Sequence, residues 1–150
     1  MRTRNRKPLW NILLGVLLAL TLCFIWGNSL LSREDSAAFS GETANWLRRL
    51  GIPLEDDTIL RKLAHFVEFS LLGCELSALL RLRGLKGLQN VCYSALAAFF
   101  IAAADETIQI FSGRGALLSD VLLDFTGAIA GIVILNLLMK RIVKAYRSRL

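Results

Sequence analysis

The sequence predicts an all-α, polytopic membrane protein in which four helices form a transmembrane bundle. Three observations support this prediction: 55% of the 150 residues are hydrophobic, the mean hydropathy is +0.52, and no charged residue lies between Pro8 and Ser32. The average soluble protein is less apolar, and about 20 apolar residues are enough to cross the hydrocarbon core of a bilayer. We therefore predict a first spanning helix over residues 9–31, in a chain whose length suits a single domain.

The charges are sharply partitioned along the chain. Most of the 18 basic residues fall in three segments, residues 2–7, 81–86 and 140–149, and none of these segments holds an acidic residue. Basic residues beside spanning helices mark the cytoplasmic side, so both termini and the short loop are predicted to be cytoplasmic. Four crossings follow, at about residues 9–31, 61–80, 88–111 and 117–139. Because this topology accounts for the net charge of +6, we expect no nucleic-acid partner.

Two features of the chain argue against other classes of protein. Cys23, Cys74 and Cys92 lie singly in separate apolar stretches, which indicates neither a zinc cluster nor a disulfide framework. A basic start before an apolar run also resembles a secretory signal, but the run is long and no small-x-small cleavage site follows it directly. We therefore expect the first helix to stay uncleaved.

Residues 32–60 form the long outer connection, and part of it is predicted to be a helix lying on the membrane surface. Its apolar face is formed by residues at helical spacing, namely Phe39, Thr43, Trp46, Leu47 and Leu50. Ser32 with Asp35 three residues later resembles a helix N-cap, and Gly51 followed by Pro53 predicts the end of the helix. Such an interfacial helix either covers the bundle or gates access to it.

The second span carries the only histidine of the chain, His65, together with Glu68. Arg61, His65, Glu68 and Glu75 recur at helical spacing and so share one stripe. An ionisable side chain inside a bilayer costs roughly 2.5 to 3.5 kcal/mol on insertion scales, which makes it a functional candidate by default. With a rise of about 1.5 Å per residue, His65 and Glu68 lie in the outer half of the span. Glu75 lies in the inner half, where we expect it to contact an arginine on the cytoplasmic side.

The other spans also carry polar residues at the ends that face outward. In the third and fourth spans these are Asp105, Glu106, Gln109, Asp120 and Asp124. Because consecutive spans run in opposite directions, all five are predicted to lie at the depth of His65. Asn28 and Ser29, at the outer end of the first span, also qualify. Together these positions predict a polar site open to the outer leaflet.

Two groups of glycines indicate close approach of backbones. Gly127 and Gly131 follow Asp124 on the same face, and small residues at this spacing let another helix come close; the aspartate face should therefore point into the bundle. The turn at 111–115 holds Gly113, Arg114 and Gly115. Its amides and the arginine fork suit a phosphate, although a plain turn between antiparallel helices explains the glycines equally well.

Three motifs, taken in order, resemble the VanZ-like family of bacterial membrane proteins. They are R-K-x-x-H-F-x-E-F-x-x-L-G at residues 61–73, D-E-x-x-Q-x-F-x-G-R at 105–114 and D-x-x-x-D-x-x-G at 120–127. The resemblance covers residues 58–135. It implies a single VanZ-like domain in the bacterial cell (inner) membrane, a link through the founding member to teicoplanin resistance, and a similarity to enzymes that exchange or cleave lipid head groups.

The residues themselves favour two kinds of chemistry. A histidine flanked by carboxylates can act as a general base or as a nucleophile towards phosphorus, and nearby cations can neutralise a phosphate. Carboxylates with one imidazole also suit Mg²⁺ or Mn²⁺, and clustered acids need protons, arginine or metal to offset their repulsion. We predict catalytic roles for His65, Glu68, Asp105, Glu106 and Asp124. We predict substrate-binding roles for Arg61, Lys62, Gln109, Arg114 and Asp120.

The predicted function is an enzymatic action on the head group or phosphoester of a membrane lipid or lipid-linked cell-wall precursor, by a phosphoesterase or transferase. The alternative is a non-catalytic protein that binds or shields a lipid or a glycopeptide antibiotic and so contributes to resistance. A proton or ion transporter is disfavoured because a pathway needs polar groups along the whole span. Glu75 is the only ionisable group that we place in the inner half.

Overall fold

The computed structural model describes residues 7–32, 57–115 and 117–148, together with residues 35, 38, 41–43 and 49 of the outer connection. Four helices run through it: α1 (Lys7–Leu30), α2 (Asp57–Leu82), α3 (Gly87–Phe111) and α4 (Leu118–Arg147). Of the residues that the structure describes, 90% are helical and none lies in a strand, and all four helices are long and apolar enough to cross a membrane. The predicted all-α, multi-pass membrane architecture is confirmed.

The last helix is longer than the sequence predicted. We expected α4 to end at Met139, but it continues to Arg147. Lysine and arginine are good helix formers, and their positive charge is favourable near a helix C-terminus. The basic residues of this segment therefore extend the helix, and together they form a basic tail: Lys140, Arg141, Lys144 and Arg147.

The predicted interfacial helix lies largely outside the described residues. Those of its positions that are described, residues 35, 38, 41–43 and 49, are helical. The expected N-cap is confirmed, because Ser32 Oγ accepts a hydrogen bond from the backbone N–H of Asp35 at 3.1 Å. The Ser32 hydroxyl also donates to Asp35 Oδ2 at 2.7 Å. One helix orphan amide is thereby satisfied.

Contacts between side chains establish the directions of the helices. Thr21 donates to Glu75 and Asn28 donates to Glu68, so position numbers rise along α1 as they fall along α2 and the two are antiparallel. In the same way α3 is antiparallel to α2, since Ser77 contacts Asn90 and His65 contacts Asp105. Residues predicted to lie at the outer ends of α1, α2 and α3 thus meet at one end of the bundle.

Helices α2 and α4 run parallel and touch through their backbones. A Cβ on Gly127 would lie 2.5 Å from the carbonyl oxygen of Phe66, and a Cβ on Gly131 would overlap the carbonyl oxygen of Ser70. On the other side, a Cβ on Gly73 would overlap the backbone of Ala128. The predicted small-residue face is confirmed, and we call this contact the glycine seam.

Side-chain donors strengthen the glycine seam. The Ser70 hydroxyl lies 2.9 Å from the carbonyl oxygen of Gly127 and 2.7 Å from that of Phe66 in its own helix, so it donates to both in a shared hydrogen bond. Cys74 Sγ donates to the carbonyl oxygen of Gly131 at 3.2 Å. Small residues with hydroxyl or thiol donors are the usual means of holding helices together in a membrane.

A second buried polar group, which we call the inner cluster, consists of Ser77, Asn90 and Asn136. The Ser77 hydroxyl donates to Asn90 Oδ1 at 2.6 Å, and the Asn90 amide donates back to the carbonyl oxygen of Ser77 at 3.0 Å. Asn136 Nδ2 donates to Ser77 Oγ at 3.1 Å and to the carbonyl oxygen of Ile132 at 2.8 Å. Arg81 donates to Asn136 Oδ1 at the edge of the cluster.

Glu75 does not contact the cytoplasmic arginine that we expected. Its Oε1 instead accepts a hydrogen bond from Thr21 Oγ1 at 2.9 Å, and its Oε2 is buried without a hydrogen-bond partner among the described residues. The reason is orientation: the stripe of α2 that carries Glu75 faces α1, whereas Arg81 faces α4 through Asn136.

An apolar layer separates the inner cluster from the polar groups at the other end of the bundle. Its residues are fully buried and come from all four helices: Ile25, Phe69, Leu72, Ala102 and Ala128. The inner half holds more polar groups than the sequence suggested, but fully buried apolar side chains from all four helices lie between the two ends. The alternative of a proton or ion transporter therefore stays disfavoured.

Candidate functional site

His65 lies between two buried aspartates from different helices. Its Nδ1 is 3.7 Å from Asp124 Oδ1 on α4 and 4.0 Å from Asp105 Oδ2 on α3. The imidazole is mostly buried, and both aspartates are almost completely so. The sequence prediction that these three residues meet is correct, and we name them, with Glu68, the outer cluster.

Asp105 is fixed by two neutral donors. Ser29 Oγ donates to its Oδ1 at 2.7 Å, and Gln109 Nε2 donates to its Oδ2 at 2.9 Å. Hydrogen bonds to a carboxylate are stronger than those between neutral groups, so this side chain has little freedom to move. Gln109, predicted to bind substrate, therefore also holds Asp105 in place. Ser29, at the end of α1, faces the site as predicted.

Asp124 is held far less completely. It is 1% exposed, yet its Oδ2 makes no hydrogen bond with any described residue. Leaving a buried charged group without a partner is strongly unfavourable. Asp124 Oδ2 is therefore available to bind a proton, to coordinate a cation or to accept a hydrogen bond from a ligand.

Glu68 faces α1 and extends the acidic character of the site. Asn28 Nδ2 donates to its Oε1 at 3.3 Å, while Oε2 is buried with no hydrogen bond inside the described ranges. Asn28 thus meets the expectation from its position in α1. Glu68 lines a cavity beside His65, which places it within the site rather than in the packed core.

Glu106 occupies a different position from the other predicted acids. Its Oε1 accepts a hydrogen bond from the backbone N–H of Leu117 at 2.6 Å, and Leu117 is the N-cap residue of α4. A carboxylate at a helix N-terminus satisfies an orphan amide and interacts favourably with the helix dipole. The structure therefore places Glu106 where it orients α4, and with it Asp124, rather than beside the His65 imidazole.

Three cations surround the site. Lys62 Nζ lies 3.0 Å from Asp120 Oδ1, so that these two predicted substrate-binding residues form an ion pair at the mouth of the site. Arg114 is 9% exposed and donates through Nη1 to the carbonyl oxygen of Asn28 at 3.1 Å. Arg61 lies one helical turn above His65 and lines the space beside it. Positive charge thus faces the acids of the outer cluster.

Of the two interpretations of the 111–115 turn, the structure favours the plain turn over an amide cradle for phosphate. The N–H groups of Ser112, Gly113 and Arg114 donate to carbonyl oxygens of α3 at 3.1 to 3.2 Å. With Gly113 in the left-handed region at φ 74°, this is a Schellman cap that terminates the helix. These amides are used by α3 and do not face a phosphate. The side chain of Arg114, in contrast, does enter the site.

Two cavities meet at His65. The smaller, of about 90 Å³, is polar and is bounded by Lys62, Gln109, Asp120 and Asp124. The larger, of about 270 Å³, presents mostly apolar surface, and its walls include Phe24, Leu31, Leu60 and Ala64 together with Asn28, Thr43 and Glu68. Arg61, His65 and Arg114 line both. The imidazole and two cations therefore lie in the walls of both a polar chamber and an apolar chamber.

The donor set of His65, Asp105 and Asp124 also fits a divalent cation. One nitrogen or oxygen of each residue lies within 4.8 Å of the others. Two ligands on one ion at about 2.1 to 2.2 Å are at most roughly 4.2 to 4.4 Å apart, so the three side chains would have to move closer together to hold one ion. An imidazole with two carboxylates suits Mn²⁺ better than Mg²⁺, which prefers oxygen ligands and water.

The apolar chamber was not foreseen from the sequence. Phe24, Leu31, Leu60 and Ala64 lie in stretches that read as uniformly apolar. Residues that face lipid and residues that line a groove for a lipid chain are both apolar. Their spacing along the sequence therefore does not distinguish the two. The only available clue was the proximity of these residues in sequence to Asn28 and His65.

The comparisons with known proteins place most of the chain in one family. A family model described as VanZ/LLP1 matches residues 12–139, a range that includes all three motifs of the outer end. Neither the curated proteins nor the solved structures compared with the chain gave a match.

Proposed function

The chain belongs to the VanZ/LLP1 family of multi-pass membrane proteins, and we propose that it acts on the head group or phosphoester of a membrane lipid or lipid-linked precursor. We place the protein in the bacterial inner membrane with both termini in the cytoplasm, following the distribution of basic residues. The outer cluster then opens towards the outer leaflet.

One observation carries this proposal: His65 stands at the junction of a polar chamber and an apolar one. An amphiphile fits this division, with its phosphate in the chamber that holds Lys62 and its apolar chain in the chamber that holds Phe24 and Leu60. Arg61 and Arg114 line both chambers and so stand where the phosphate would join the chain. Arginine is suited to this position because its planar fork binds phosphate oxygens in pairs.

The chemistry that fits is displacement at phosphorus. With Nδ1 facing Asp105 and Asp124, a proton on that nitrogen points at the carboxylates, which leaves Nε2 as the basic nitrogen. Nε2 accepts the proton of an attacking hydroxyl as its oxygen bonds to phosphorus. The bond from phosphorus to the leaving oxygen breaks, and that oxygen takes up the proton that Nε2 had accepted, which returns the imidazole to its neutral form. The present distances of 3.7 and 4.0 Å exceed hydrogen-bond length, and such contacts commonly tighten only when substrate binds.

The remaining predicted residues take supporting roles in this proposal. Gln109 and Ser29 hold Asp105, while Glu106 fixes the start of α4. Asp120 restrains Lys62 at the mouth of the polar chamber until a phosphate competes for the ammonium group. None of these four needs to touch the reacting atoms.

The test is turnover of defined lipids by purified protein in liposomes. Head-group and phosphate release from lipid phosphates and polyprenyl phosphates is measured by mass spectrometry for the wild type and for His65→Ala. We expect the substitution to lower the rate by about 10² to 10⁴-fold, the usual contribution of a general base. Equal rates for the two proteins would refute the proposal.

A matched control comes from the opposite face of α4. Thr126 is exposed and bonds only to the carbonyl oxygen of Leu123 in its own helix, so Thr126→Ala should insert and turn over as the wild type does. If the wild type binds a lipid phosphate or a glycopeptide but releases no product, the non-catalytic alternative replaces the enzymatic one.

A further inference from the structure

We propose that the opposite end of the bundle binds one anionic phospholipid, with the phosphate against Lys140, Lys144 and Arg147 of α4 and an acyl chain in an adjacent apolar groove. This site shares no residue with the outer cluster, and the proposal does not depend on the function proposed above. It rests on two cavities, on the residue that joins them and on their charge.

The first cavity is a basic groove along the end of α4. It has a volume of about 320 Å³, and four of its six lining residues are cations: Arg81, Lys140, Lys144 and Arg147, with Met139 and Val143. Lys140, Lys144 and Arg147 recur at the spacing of one helix face. Because α4 stays helical to Arg147, these charges form an ordered row rather than a loose tail.

The second cavity is an apolar groove of about 200 Å³ next to the first. Trp10 and Leu14 of α1, Ala78 and Leu82 of α2, and Leu135 of α4 line it. Arg81 and Met139 belong to both cavities. An apolar groove that continues into a cationic one fits a ligand with one chain and one anionic group, which a soluble phosphate or a nucleic acid does not offer.

Arg81 is held in place where the two grooves meet. Its guanidinium donates to Asn136 Oδ1, which is anchored in the inner cluster, and its Nε is buried without a hydrogen-bond partner among the described residues. A donor that is oriented but unsatisfied is suited to a phosphate oxygen. The inner cluster therefore does more than pack the helices together, because it orients the Arg81 side chain.

The depth of Arg81 matches the other bilayer surface. It follows Arg61 by 20 residues of continuous helix, which is about 30 Å at the rise of an α-helix and equals the thickness of the hydrocarbon core. Basic pockets between helices at the cytoplasmic surface are well suited to anionic head groups. With the termini in the cytoplasm, the ligand is a phospholipid of the inner leaflet.

The experiment is native mass spectrometry of the detergent-purified protein with phosphatidylglycerol or phosphatidylcholine of identical acyl chains. We expect the wild type to retain phosphatidylglycerol at least tenfold better than phosphatidylcholine. The variant K140Q/K144Q/R147Q should lose at least tenfold of this retention, because each cation near the surface contributes substantially to binding an anionic lipid.

The control removes three charges from the same end without touching the grooves. Arg83, Lys86 and Arg141 are exposed and line neither cavity, so R83Q/K86Q/R141Q should change retention less than twofold.

Equal losses in the two triple variants would mean diffuse attraction and would overturn the site, as would an absence of preference in the wild type. Competition by glycerol phosphate at the same concentration would assign the anion to a soluble source and overturn the lipid proposal. His65→Ala should retain phosphatidylglycerol normally, so either proposal can fail alone.

Discussion

The outer cluster and the inner cluster are both buried polar groups in a membrane bundle, but they differ in how their atoms are satisfied. In the inner cluster, Ser77, Asn90 and Asn136 are neutral and bond to one another and to the backbone. In the outer cluster, the carboxylates of Glu68 and Asp124 each keep a buried oxygen without a hydrogen bond to the described residues. Polar burial therefore does not mark a functional site by itself, and the unsatisfied carboxylates beside a cavity make the outer cluster the stronger candidate.

The largest predicted effect, and the strongest test of the difference between the two clusters, is on turnover. Asp124→Asn keeps the shape of the side chain but removes the negative charge beside His65 Nδ1, so we expect turnover to fall by about 10²-fold or more. Asn136→Leu, in the inner cluster, should leave turnover within about twofold of the wild type. Rates are measured with the same liposome assay. A comparable loss in both variants would show that the two clusters do not differ in function.

The second prediction concerns the free energy of unfolding. For this quantity we expect a substitution in the inner cluster to have a larger effect than one in the outer cluster. Asn136→Leu leaves Ser77 and Asn90 with fewer partners and releases Arg81, which should lower stability by about 1 to 3 kcal/mol. Asp124→Asn removes a buried, incompletely paired charge and should leave stability unchanged or raise it. Unfolding in mixed micelles with increasing denaturing detergent measures both. Destabilisation by Asp124→Asn larger than that by Asn136→Leu would contradict the contrast.

A third, smaller effect tests whether the outer cluster holds a metal ion. Mn²⁺ at ten times its Kd should stabilise the wild type by about 1.4 kcal/mol through binding to the folded state, seen as a rise in Tm. The rise should vanish in Asp124→Asn and persist in Asn136→Leu. An equal rise in all three proteins would place the ion elsewhere.

The smallest effect concerns the contact that lies between the two clusters. Ser70→Ala removes the shared hydrogen bond to the carbonyl oxygen of Gly127, and interhelical hydrogen bonds in membranes contribute about 0.6 kcal/mol on average. We expect a loss of that order in unfolding experiments, with no change in turnover. A loss of several kcal/mol would mean that the glycine seam depends on this hydroxyl rather than on backbone packing.

Hydrophobicity and charge were enough to predict the helices and the meeting of His65, Asp105 and Asp124. These inferences depend on the length of the apolar stretches, on the alternating direction of consecutive spans and on the end of each span at which acidic residues occur. The bilayer constrains the length and the direction of the spans. The seam at Gly127 and Gly131 could be predicted for the same reason, because small residues at this spacing have few other uses in a membrane helix.

The remaining features depend on rotations and pairings that a single sequence does not specify. Ser77, Asn90 and Asn136 each stand alone in a different helix, and only the packed bundle brings them together. The partner of Glu75 was mistaken because the rotation of α2 decides whether a side chain meets α1 or α4. The glycines at 113 and 115 suggested a phosphate loop, but Gly113 is the residue that a helix cap requires.

For the lipid substrate that we propose, the glycine seam also restricts the route to His65. Phe66 is pressed against Gly127 immediately below the imidazole, so the boundary between α2 and α4 is shut to anything as wide as an acyl chain. The apolar chamber instead opens between α1 and α2, beside Phe24 and Ala64. Among the described helices, the route that we propose for a lipid therefore runs between α1 and α2 and not between α2 and α4.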